Sequence, residues 1–183
     1  MLRLVYLILL GLLGAGIVHI VVLFLLPSYS DRDVWSRLSA VASPYETVRL
    51  GRDKAGAGVP VPANPFIRAA ACRFDLADGA LHMEAAGSVP FWSLSLYDDN
   101  GLNIFSISDR AATDRALDVV VANRAQMQKV RAQPPAEFAR SLFMEVDMEE
   151  GIALVRVLVP DETWDLVVDG FLAGLDCKPR NVG

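Results

Sequence analysis

Apolar and polar positions divide the chain into two unequal parts. From Leu4 to Leu26 the residues are apolar or glycine, broken only by Tyr6 and His19. At 1.5 Å per residue, a helix over this run reaches about 34 Å, enough to cross a hydrocarbon core of about 30 Å. A cleaved signal peptide has a shorter apolar core of about 7–15 residues and a small-residue cleavage site after it. Here the small cluster Gly14-Ala15-Gly16 is followed by ten more residues, apolar except for His19, and Pro27-Ser28-Tyr29 ends the run without an Ala-x-Ala pattern. The pattern predicts an uncleaved transmembrane anchor at residues 1–27 and one exported globular domain at residues 28–183.

Beyond the anchor the periodicity changes. Asp31 reads as an N-cap, with Val34, Trp35, Leu38, Val41 and Ala42 at helical spacing, so a short amphipathic helix is expected to end before Pro44. Tyr45 to Leu50 reads as a strand, and the Gly-, Pro- and Ala-rich stretch from Gly51 to Pro65 as a long loop. Strands follow at Phe66–Leu76 and Leu81–Ala86. In Phe91–Tyr97, Trp92, Leu94 and Leu96 alternate with Ser93 and Ser95, the period of two of a half-buried strand. Asp98-Asp99-Asn100-Gly101 supplies a turn, and Leu102–Ile107 the returning strand.

The second half reads as a strand at Leu117–Ala122, a helical turn around Gln126–Arg131 and a break at Pro134-Pro135. Leu142–Met148 and Ile152–Val159 look like a hairpin around Glu149-Glu150-Gly151. The chain is expected to close with a helix capped by Asp161, its apolar face formed by Trp164, Val167, Val168, Phe171, Leu172 and Leu175. About eight strands with helices near both ends predict an α+β fold: a transmembrane helix, then a mainly antiparallel β-sandwich or open barrel with flanking helices.

Charge narrows the partners. The 183 residues carry a formal charge of −5, and setting Arg3 of the anchor aside leaves −6 on the remainder. An acidic domain without a Lys/Arg cluster cannot neutralise a phosphate backbone, so nucleic acid is not an expected partner. Arg3 and the α-amino group lie before the anchor, and Arg32 and Arg37 after it, which nearly balances the positive-inside signal. The short N-terminal tail and long following domain favour a cytoplasmic N-terminus. The layout thus reads as a single-pass protein of a bacterial inner membrane, with its C-terminal domain in the periplasm.

The stretch Phe91–Arg110, FWSLSLYDDNGLNIFSISDR, resembles the "FWSlTlYd…g…N…iS" hairpin of a bacterial family, domain of unknown function 1214. Proteins with that domain often also carry domain of unknown function 1254, whose compact single-pass relatives are similar to this chain in length and layout. The resemblance implies a β-rich domain and brings no activity, cofactor or site residue with it.

Candidate chemistry is sparse. His82 stands in an alternating strand beside Met83 and Glu84 and reads as a satisfied histidine rather than a metal ligand or triad base, so neither a catalytic nor a metal site is predicted. Ser93 and Ser95 read as the outer face of a strand, Asp98-Asp99 and Glu149-Glu150 as solvated turns, and Trp92 and Trp164 as packing anchors. No Walker loop, GxGxxG or CxxC occurs, and no cofactor is expected. Cys72 and Cys177 both fall in the exported domain, with no third cysteine to compete, and are expected to form a disulfide. In the anchor, Gly11-x-x-x-Ala15 is a small-xxx-small pair that lets another helix approach closely, and His19 is a polar group at bilayer depth. Two functions fit: a membrane-anchored accessory protein meeting a membrane-protein partner or a second copy at the bilayer, or an exported enzyme or small-ligand binder with a dispersed site.

Overall fold

The structure is a computed structural model and describes residues 2–50 and 64–182; the predicted Gly51–Pro65 loop falls largely outside them. Helix α1 spans Leu2–Val41. Its first part, Leu2–Leu25, is long and apolar enough to cross a membrane, and none of it is covered by the rest of the protein. The expected second helix starting at Asp31 is instead the continuation of α1, which runs unbroken through Pro27. Proline removes one helical hydrogen bond. At the end of an apolar span, water can satisfy the carbonyl this frees. The far end of α1 is then held by packing: Leu38 and Ala42 are buried against Ala71 and Ile152, with Trp35 beside them.

Nine strands among the described residues form two sheets. They are β1 Thr47–Leu50, β2 Ile67–Asp75, β3 Ala80–Ala85, β4 Trp92–Tyr97, β5 Asn103–Ser108, β6 Leu117–Asn123, β7 Leu142–Val146, β8 Glu150–Leu158 and β9 Asp176–Arg180. One sheet has the order β1-β2-β8-β4-β5 and is antiparallel throughout. The other has the order β7-β6-β3-β9, with β6 and β7 parallel. The fold is therefore the expected α+β sandwich. Alternation sets its core: Cys72 and Phe74 of β2, Trp92, Leu94 and Leu96 of β4, and Val155 and Val157 of β8 face Leu81 and Met83 of β3 and Val119 and Val121 of β6.

Two parts of the sequence reading are corrected. Leu142–Met148 and Ile152–Val159 do not form a hairpin, because β7 and β8 lie in different sheets. Helix α2, Arg124–Ala132, bridges β6 to β7 as a crossover, which is what a parallel pair requires. The chain also continues past its last helix. That helix, α3, spans Asp165–Ala173, and β9 follows it. Val168, Phe171, Leu172 and Leu175 enter the core as expected, whereas Val167 is 46% exposed and Trp164 only partly buried. The sequence of β9, Asp-Cys-Lys-Pro-Arg, hides it from periodicity, since charge and proline mark a protected sheet edge.

Cys72 of β2 and Cys177 of β9 are joined as a disulfide with Cα atoms 6.6 Å apart. The bond ties one sheet to the other. α3 lies beside this tie, held to β1 and β2 by Arg49–Asp169 and Arg68–Asp165 ion pairs. On the outer face of the second sheet, Met127 and Val130 of α2 and the nearby Phe138 cover Val120 and Ala122. Asn123 and Gln126 cap α2 with reciprocal side-chain bonds.

Candidate functional site

The outer face of the five-stranded sheet is half covered. α1 sits over β1, β2 and β8, where Arg73 lies 4.8 Å from the Trp35 ring in a cation–π contact. The other half, over β4 and β5, carries hydroxyls and one arginine. On β8 the apolar residues Ala153, Val155 and Val157 point inward, so Arg156 projects from the opposite face. It stands across from Ser93 on β4. Its Nη1 donates to Ser95 Oγ at 3.1 Å and its Nη2 to Tyr97 Oη at 3.0 Å. Ser106 of β5 donates to the same Ser95 Oγ at 3.1 Å, and the Asn103 amide donates to Ser106 Oγ at 3.0 Å.

Asn103 reaches this network because of an irregularity. The β4–β5 register passes from Leu96↔Phe105 to Tyr97↔Asn103, which leaves Ile104 as an extra residue in β5. Strict alternation would put Ile104 on the outer face and Asn103 on the inner one. The bulge turns Asn103 to the outer face, as bulges do where a side chain is re-aimed. The turn before it, Asp98–Gly101, is the predicted one: the Asp98 carboxylate accepts from Asn100 and Leu102 N–H, and Gly101 alone takes positive φ, at 79°.

Electrostatics distinguishes the face. Burial raises the Tyr97 hydroxyl, but the guanidinium of Arg156 bonded to it, with help from Asn103 and Ser95, outweighs this and holds it below 10. Among the described residues no carboxylate lies within ion-pairing distance of Arg156. Among the described residues, Arg49, Arg68, Arg115, Arg124, Arg131 and Arg140 do have acidic partners. The arrangement offers a half-buried cation bonded to the buried Ser95 and half-buried Tyr97 hydroxyls, with Asn103 and Ser106 exposed beside them, and is suited to receiving a hydrogen-bond acceptor.

The remaining candidates are scattered. His82 is buried on β3, its Nε2 3.0 Å from Asp118 Oδ1 and its ring edge-on to Phe138 at 5.1 Å. Asp109, at the end of β5, is also buried, its Oδ2 3.5 Å from Arg115 Nε. Asp114 and Arg115 beyond it adopt left-handed φ of 53° and 57°, and the Trp92 indole donates to the Arg115 carbonyl at 2.7 Å. Asp98, Asp99, Glu149 and Glu150 lie at turns or strand starts and are exposed or partly so. Gly11, Ala15 and His19 lie on the exposed part of α1, with open space around Gly11. The polar network itself was not singled out from sequence, although Arg156, the one charge within Ile152–Leu158, was the signal that marked it.

No family model matches the chain, and no curated protein matches it. Two of the solved structures similar to this chain are distant from it in sequence. One is the VPA0106 protein from Vibrio parahaemolyticus, with a TM-score of 0.59 at 12% identity, covering 83% of this chain and 35% of that one. The other, an uncharacterised protein from Burkholderia cenocepacia, has a TM-score of 0.45 at 16% identity, covering 71% of this chain and 37% of that one. The chain thus spans little more than a third of the length of either protein, and the first likeness supports the sandwich fold alone.

Proposed function

We propose that this chain is a single-pass membrane protein, N-terminus in the cytoplasm and domain exported, in a bacterial inner membrane with the domain in the periplasm. In this reading it is an accessory protein whose domain meets a membrane-bound partner. The observation that carries it is the continuity of α1: one helix includes a bilayer-length apolar segment and ends packed on the five-stranded sheet. A cut between those parts would sever a helix whose far end is part of the domain's packing. The Cys72–Cys177 bond fits an oxidising compartment.

The polar face beside α1 supports binding over catalysis. Its hydroxyls and Arg156 lie on a sheet surface, whereas catalysis favours groups held in a water-excluding site. Four of the five network residues (Ser95, Tyr97, Asn103 and Ser106) fall on the hairpin that resembles domain of unknown function 1214.

Two measurements test the reading. Alkaline phosphatase fused at the C-terminus should be active, and a fluorescent protein of the kind that matures only in the cytoplasm should be dark there. The full-length protein, purified in mild detergent, should bring a membrane protein or a second copy with it. Dark phosphatase with bright cytoplasmic fluorescence reverses the topology, and a lone monomer that turns over a substrate replaces the accessory role with an enzymatic one.

A further inference from the structure

We propose that Arg156, with the hydroxyls bonded to it, is a carboxylate-binding site at which an acidic segment of the partner protein seats on the outer face of β8, β4 and β5. This deepens the accessory reading and rests on it. The guanidinium is half-buried, yet both of its amino groups are bonded to neutral oxygens, Ser95 Oγ and Tyr97 Oη. Such a charge has lost part of its hydration without gaining an opposite charge among the described residues, and an arriving carboxylate supplies one. The neighbouring cation cannot substitute, because Arg73 faces the Trp35 ring.

The choice of anion follows from charge and shape. There is one guanidinium here, and a single carboxylate group matches it in charge, whereas a phosphate dianion does not. A planar fork also matches a planar carboxylate. Access is open on the β5 side, where Asn103 and Ser106 are exposed, while α1 bounds the other side. A ligand approaching along β5 therefore meets the Asn103 amide and Ser106 hydroxyl first, then Arg156.

The test uses the full-length protein in detergent and a fluorescein-labelled hexaglutamate peptide, with binding read by anisotropy at low salt. Arg156→Gln should weaken binding by at least about tenfold, because it removes the charged half of a charge-assisted pair. Arg110→Gln, at an exposed arginine outside the network, should change it less than about twofold. Arg156→Lys, which keeps the charge and loses the fork, should fall between them. Should Arg156→Gln fail to fold, that lysine variant and Ser106→Ala on the exposed surface carry the test, each expected to weaken binding.

Equal affinity in wild type and every folded Arg156 variant overturns the site. So does equal binding of hexaglutamine, or displacement of the peptide by inorganic phosphate at lower concentration than by acetate. A co-purified partner that stays bound to Arg156→Gln sinks this assignment while leaving the accessory reading intact. Peptide binding through Arg156 by a protein that purifies alone supports the site and counts against that reading.

Discussion

Removing the Cys72–Cys177 bond should cost the domain about 4–5 kcal/mol. The two residues are 105 apart in sequence. In the chain-entropy treatment, closing a loop of that length lowers the entropy of the unfolded chain by roughly 16 cal/mol/K, or about 4.7 kcal/mol at room temperature. Both cysteines lie in the core, at 0% and 3% exposure, so replacing them with alanine also leaves a small void. For a domain of this size the loss corresponds to a fall in melting temperature of about 10–20 °C. The assay is guanidinium unfolding of the full-length protein in detergent, followed by tryptophan fluorescence. It compares the oxidised protein with Cys72→Ala/Cys177→Ala, and thiol labelling of denatured, unreduced protein runs alongside. The bridged protein should take up no label, and the double variant should keep the native spectrum before its early transition. Two labels per chain, or transitions separated by less than about 1 kcal/mol, would show that no covalent tie between the sheets contributes to stability.

Three further outcomes follow from particular contacts. Trp92→Phe should destabilise the domain by about 2–3 kcal/mol in urea, since it shrinks a buried side chain and leaves the Arg115 carbonyl without its 2.7 Å donor. Trp164→Phe should cost under about 1 kcal/mol, and equal costs would refute the assignment of Trp92 as the anchor. Gly151→Ala should cost about 1–3 kcal/mol, because the new Cβ would sit 2.8 Å from the Tyr97 carbonyl and 2.7 Å from Phe74 Cζ; a wild-type melting curve contradicts that packing. In ultraviolet phenolate titrations Tyr45 should ionise above 10, raised by burial, and Tyr97 below it, with Arg156→Gln moving only Tyr97 upward. Because its folded value is depressed, Tyr97 favours folding above the unfolded value, and the gain is lost as pH falls through the folded one. An unmoved Tyr97 in that variant removes the guanidinium as its cause.

Legibility varied with the kind of information each element needs. The sheet core was readable because alternation at Trp92, Leu94 and Leu96 is a local pattern that tertiary packing enforces. Strand partners were less so: Leu142–Met148 and Ile152–Val159 are neighbours in sequence, yet only the positions of β6 and β2 decide which sheet each joins. Charged β9 was missed because edge strands suppress the very signal that reveals central ones. The candidate site was least legible. Its hydroxyls are ordinary outer-face residues one at a time, and Asn103 joins them through a one-residue bulge that no spacing rule anticipates. The Phe91–Arg110 hairpin holds four of the five network residues, whereas Arg156 comes from a strand more than forty residues later.

The unbroken course of α1 makes the protein's sensitivity to length unusually sharp. From Leu25 to Val41 the helix continues for 16 residues, about 24 Å of rise, before the chain turns into the sheet. Such a spacer fixes both elevation and azimuth. Deleting one residue between Leu26 and Val34 would lower the domain by about 1.5 Å but turn it by about 100° about the helix axis, swinging the Arg156 face away from its original bearing. Deleting four would bring the bearing back to within about 40° while sinking the domain by about 6 Å. A docking site that reads direction would tolerate the second change better than the first, and one that reads only height would rank them the other way. A flexible tether would make the two deletions indistinguishable.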